Sequence, residues 1–252
     1  MFGGLLAGYL LEHIGYRFTF IAVAALPLAA LPFLRGIPHR AAGDAHAPRE
    51  RGRLREVWTP QIVLLYAGVT LRRSATTAVG ALAFVYMASF GISSETMGIV
   101  TAINPAIAVA GTLVFGAVID RVNRNAAILF GFAVGVLYPL LYSFASTPLW
   151  FAVAAVPLGL SFAAYYSGST THIGAIVPPT HQGAMFGLLD SFRGLGGLIG
   201  PILGGGLVTA YGYRPMFLTM TGIAAAGLLL AWIGVRLGAR PSTGTPVASD
   251  AA

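Results

Sequence analysis

The sequence predicts an all-α protein, a polytopic bundle of transmembrane helices, on three observations. Of its 252 residues, 56% are hydrophobic and only 9% are charged, with a mean hydropathy of +0.78. A soluble domain carries about 25% charged residues, so water cannot be the main solvent of this chain. The apolar residues gather into runs of about 20 or more, the length that crosses a hydrocarbon layer as helix. No alternating barrel pattern accompanies them, and backbone groups in lipid must be paired within their own segment, which leaves helices.

Taken in order, residues 1–13 are apolar but too short to span and read as a partial helix. Seven full spans follow, at roughly 17–35, 60–89, 96–119, 125–145, 149–175, 183–210 and 215–236. Pro27, Pro32, Pro105, Pro139, Pro157 and Pro201 fall inside them, as prolines do where membrane helices bend. Between the second and third apolar segments lies Gly36–Trp58, rich in Arg, Pro, Ala and His and without apolar periodicity, which reads as a solvated linker. The segments therefore group as 1–35, the end of one bundle; 36–58, the linker; 59–238, a six-helix bundle; and 239–252, a polar tail that reads as disordered.

The net charge is +7, and all fifteen basic residues are arginine. Six of them lie in Arg35–Arg55, a pattern that fits a cytoplasmic loop rather than a nucleic-acid groove. With that linker cytoplasmic and the loops alternating, Arg35, Arg40, Arg49, Arg51, Arg53, Arg55, Arg121, Arg124, Arg236 and Arg240 fall on the cytoplasmic side. Only Arg17 and Arg214 fall opposite. Ten against two places the linker and the C-terminus inside, in a multi-pass protein of the cell membrane. Cysteine is absent, which excludes thiol chemistry, and no metal-binding histidine pair, nucleophile elbow or nucleotide-cradling loop is present. Nothing recommends an enzyme, a cofactor or a metal.

An internal repeat carries the most information. Residues 3–20 align without gaps to 200–217, with Gly3, Leu6, Gly8, Leu10, Gly15, Tyr16, Arg17 and Phe20 matching Gly200, Leu203, Gly205, Leu207, Gly212, Tyr213, Arg214 and Phe217. The offset of 197 residues spans six helices, so the unit is a six-helix bundle repeated in parallel, one of the two common secondary-transporter plans. On these residues the chain resembles the major facilitator superfamily, from the end of its fifth helix through its twelfth. The Gly-Pro-x-x-Gly-Gly run at 200–205 with Gly212-Tyr213-Arg214 looks like the family's eleventh helix and the turn after it. Gly116 to Arg124 resembles its Gly-x-x-x-Asp-Arg-x-Gly-Arg loop, with departures at Asn123 and Asn125. The glycine-rich helices are similar to the drug/proton antiporter branch.

The resemblance implies alternating access, with Asp120, Arg121 and Arg124 as a cytoplasmic gate whose charges pair with each other and with helix ends. Ionisable residues inside the spans mark the pathway, because a charge at the bilayer centre is costly unless it faces a cavity or a partner. Arg72 and Arg73 lie about 18 Å into their helix, and since neighbours point about 100° apart, one lines the cavity while the other pairs with a neighbouring helix. Asp190 and Arg193 lie three apart on one face and can pair; the pair is either structural or a proton-titrating site. Asn104, Tyr165 and Tyr166 complete the pathway set. Ser169 is a softer candidate, and His172 reads as a wetted helix end. Gly196, Gly200 and Gly204 form a small-residue stripe for close packing.

The expected function is secondary transport of a small solute, coupled to protons or another ion, with lipid as solvent and no nucleic-acid partner. The alternatives are a membrane sensor or assembly protein with the same fold, or an inactive fragment. The repeat appears once in full and once by its last third, so the expectation is a truncated bundle lacking four N-terminal helices or a partner half.

Overall fold

A computed structural model of the protein describes residues 58–118 and 123–238, together with the single residue Ile21. The chain divides between Arg51 and Gly52 into two units, and the described helices belong to the second. The expected segments at 1–13 and 17–35 and nearly all of the 36–58 linker lie outside the described residues, Ile21 and Trp58 apart.

Six helices follow one another: α1 (Pro60–Ala88), α2 (Ser94–Val118), α3 (Arg124–Phe144), α4 (Pro148–Ile176), α5 (Gln182–Tyr211) and α6 (Tyr213–Gly238). All six spans expected after the linker are present, and no strand occurs among the described residues. Local chemistry sets the ends. Thr59 and Thr147 each precede a proline, which is preorganised for the first helical position, and their hydroxyls accept the backbone N–H of Ile62 and Trp150. The Asn123 side chain accepts from Asn125 N at 2.9 Å and opens α3. Gly212 separates α5 from α6 with φ +85°, a left-handed conformation that costs other residues strain. Pro105, Pro139, Pro157 and Pro201 all sit inside helices.

Packing follows an internal two-fold plan. Helix α1 packs on α5 and α6, as α4 packs on α2 and α3, and α3 meets α6. Exchanging α1–α3 with α4–α6 preserves those contacts, and since α1 and α4 start at opposite ends, the two triplets are inverted repeats. Two apolar clusters fill the bundle. One gathers Tyr86, Met97, Tyr142, Phe151, Met216 and Phe217; the other gathers Tyr66, Ile128, Phe132, Tyr165, Met185 and Leu189. The stripe of Gly196, Gly200 and Gly204 lies against α1, where a Cβ would meet the backbone oxygens of Thr70 and Ser74 and the Ala78 side chain. Outside, large apolar side chains such as Leu113, Leu149 and Ile202 are exposed, as lipid-facing residues are. Five helices, α2 to α6, contain segments long and apolar enough to cross a membrane; α1 is equally long but carries two arginines in its middle.

Candidate functional site

Depth brings the candidates together. From the helix ends on one side, Arg72 lies about 18 Å in, Arg193 and Tyr165 about 16 Å, and Asp190 about 12 Å. The three helices α1, α4 and α5 thus offer their polar side chains at nearly one level, close to the midplane.

Arg72 points into the bundle and is only 4% exposed. Its Nη2 donates to Ser161 Oγ at 2.6 Å, and Ser161 donates in turn to the Gly131 carbonyl at 2.6 Å. The guanidinium carbon lies 4.2 Å from the Tyr165 ring centroid and 5.8 Å from that of Phe132. A desolvated contact of this kind contributes about 2 kcal/mol. Its Nε is buried with no hydrogen-bond partner, and no carboxylate reaches it among the described residues. The room comes from α3: a Cβ at Gly135 would sit 2.8 Å from Ser161 Oγ and 3.2 Å from Arg72 Nε. Gly131 permits the same closeness one turn away, where a Cβ would meet the Tyr165 backbone.

Arg193 ties α5 to α4. Its Nε donates to the Tyr165 hydroxyl at 2.9 Å, Nη2 to Ser169 Oγ at 2.9 Å and Nη1 to Asp190 Oδ1 at 2.7 Å. The Tyr165 and Tyr166 ring centroids lie 5.2 and 5.0 Å from its guanidinium carbon. Asp190–Arg193 is the one ion pair among the described residues, and its two ends differ: the aspartate side chain is 70% exposed and the arginine 15%. The carboxylate therefore faces outward from the bundle while the guanidinium is built in.

The structure thus joins Arg72, Tyr165, Tyr166, Asp190 and Arg193, with Ser169 as a further partner. Arg73 turns away from Arg72 and is exposed, its Cβ against Gly196 of α5. Asn104 stands apart on α2, where its backbone carbonyl faces Gly159 of α4. Asp120 and Arg121 lie outside the described residues, and of Arg124 only its place at the start of α3 is described. The wetted reading of His172 is corrected: it is 3% exposed, and its Nε2 lies 2.9 Å from Gln61 Nε2, because the start of α1 covers the end of α4. Ser161, Phe132 and Gly135 escaped the sequence reading. The only signal was spacing, Ser161 one helical turn before Tyr165 and Gly131 one turn before Gly135.

What this arrangement offers is fixed charge at mid-depth, and among the described residues no cluster of His, Asp and Glu could hold a metal ion. Residues 65–250 match the model of the Major Facilitator Superfamily. The chain is 23% identical over 245 residues to the multidrug resistance protein MdtG of Klebsiella pneumoniae (strain 342), covering 94% of this chain and 59% of that protein. It is 24% identical over 250 residues to MdtG of Dickeya zeae (strain Ech586), with 94% and 60% covered. A Salmonella arizonae MdtG is 23% identical over 243 residues, with 92% and 59% covered. The chain therefore spans about three fifths of the length of these relatives.

Proposed function

Because the chain belongs to the Major Facilitator Superfamily, a family of transporters rather than enzymes, we propose that its six helices form one bundle of a secondary transporter. That transporter moves a small solute across the membrane by alternating access, driven by an ion gradient. The carrying observation is the Arg193 link between α4 and α5, with the Asp190 carboxylate exposed on one side and the buried Arg72 behind Tyr165. A bundle facing only lipid gains nothing from charges at this depth, each of which costs about 2.5–3.5 kcal/mol to insert. An aqueous pathway along the exposed face gives them a purpose.

In this reading Asp190, Arg73 and Tyr166 meet the solute or the coupling ion, and Asn104 lines the path from α2. Arg193 and Tyr165 hold Asp190 in place, and Arg72 fixes Tyr165 from within. Asp190 is the proton carrier. The other acid among the described residues, Glu95, sits in the first turn of α2 at the opposite end. Taking a proton would remove the charge that Arg193 Nη1 now meets, freeing the guanidinium for a new arrangement. Asp120, Arg121 and Arg124 serve as the cytoplasmic gate. The relatives are named for multidrug resistance, which makes apolar, drug-sized molecules the first solutes to try.

The test is flux. The complete product of the gene that encodes these residues, reconstituted in liposomes, should move at least one fluorescent lipophilic dye several-fold faster when a pH gradient is imposed. A protonophore should abolish the difference. Flux at the rate of protein-free liposomes for a broad dye panel, with and without a gradient, would overturn the proposal.

A further inference from the structure

An open apolar groove of about 490 Å³ runs between α3 and α6. Leu129, Phe130 and Ala133 line it from α3, and Ala225, Leu229 and Trp232 from α6. It starts about 8 Å from the helix ends and reaches about 20 Å in, close to the depth of one leaflet of a hydrocarbon core about 30 Å thick. Its mouth is not apolar. Arg236, one turn beyond Trp232, places its guanidinium carbon 4.6 Å from the Trp232 ring centroid. It is exposed and has no carboxylate partner among the described residues.

We propose that this groove is a binding site for one anionic phospholipid, with an acyl chain between α3 and α6 and its phosphate on Arg236. Three features point to that occupant rather than to a partner helix or bulk lipid. A single groove of leaflet depth matches a chain that enters from one side, whereas a docked helix would need a face running the full span. An exposed arginine at the water boundary is attracted to negative headgroups, at a strength of about fivefold in affinity for one such charge. The indole holds that guanidinium over the mouth instead of letting it extend into water. The distribution of arginines puts this end in the cytoplasmic leaflet, where anionic lipids concentrate.

Tryptophan fluorescence tests it directly, because these 252 residues contain only three tryptophans. With Trp58→Phe and Trp150→Phe in place, and any tryptophan outside them likewise changed to Phe, Trp232 reports alone. Vesicles carrying the protein are prepared with brominated phosphatidylglycerol or brominated phosphatidylcholine at increasing mole fraction. The expected result is half-quenching at about fivefold lower mole fraction for the anionic lipid. Arg236→Gln should remove the preference, while Arg214→Gln, which loses a similar guanidinium–ring contact with Phe144 at the other end, should leave it intact. Ala225→Phe, which fills the groove, should weaken quenching by both lipids, with helix content by circular dichroism confirming the fold. Equal quenching by the two lipids, or a preference that survives Arg236→Gln, would overturn the proposal.

Discussion

Arg72 is a guanidinium held at membrane mid-depth by a serine, two aromatic rings and the space left by a glycine. An apolar residue of similar size would pack there at no desolvation cost. In the proposed function the use of Arg72 is to hold Tyr165, and through Tyr165 and Arg193 to aim Asp190. Arg72→Gln should therefore lower flux at least tenfold without lowering the amount of protein in the membrane. Arg72→Lys should not restore it, because a compact ammonium cannot lie flat on the ring while reaching Ser161. Asp190→Asn should leave residual flux that no longer responds to a pH gradient, and Asp190→Glu should keep part of the response. Rates and pH dependence measured in proteoliposomes decide this; if Arg72→Gln and Asp190→Asn both leave them unchanged, these charges are structural. The sequence showed that charges lie at this depth, because arginine and aspartate interrupt long apolar runs. It could not show which arginine turns inward. Adjacent helical residues point about 100° apart, and the choice rests on Gly135 and Ser161, which lie in other helices.

At the scale of the helix, small residues decide which pairs approach closely. A Cβ on Gly196 or Gly200 would run into the backbone of α1, whereas one on Gly197 would meet nothing within 4 Å. In detergent, Gly200→Ala should lose about 1–3 kcal/mol of stability by overpacking, and Gly197→Ala should stay within about 0.5 kcal/mol of the parent. Thermal unfolding followed by circular dichroism compares the two, and equal effects would remove the stripe from the account. This stripe was legible in advance because i, i+4, i+8 glycines align on one face. So was the end of α5, since the repeat puts the Gly212-Tyr213-Arg214 turn there. The burial of His172 was not, because its cover is Gln61, more than a hundred residues away in the chain.

Among the described residues, hydropathy gave the six helices and their ends to within two residues, but their contacts required the structure. Apolar runs look alike whether they face lipid, one another or a water-filled path. The central claim is that two equally exposed faces of the bundle have different solvents: water along α4 and α5 around Tyr166 and Asp190, lipid between α3 and α6. Tyr166 and Leu229 separate these cases cleanly, being 44% and 54% exposed and both about 14–15 Å from the same side of the bundle. These 252 residues have no cysteine, so with any cysteine outside them changed to serine a single introduced thiol reports alone. The decisive measurement is labelling of Tyr166→Cys, Asp190→Cys and Leu229→Cys by a water-soluble, membrane-impermeant maleimide, in membranes holding the complete gene product. The account predicts ready labelling at 166 and 190, with that at 166 changing when a pH gradient is imposed, and none at 229. Thiols at 166 and 190 that stay as unreactive as the one at 229 would contradict it.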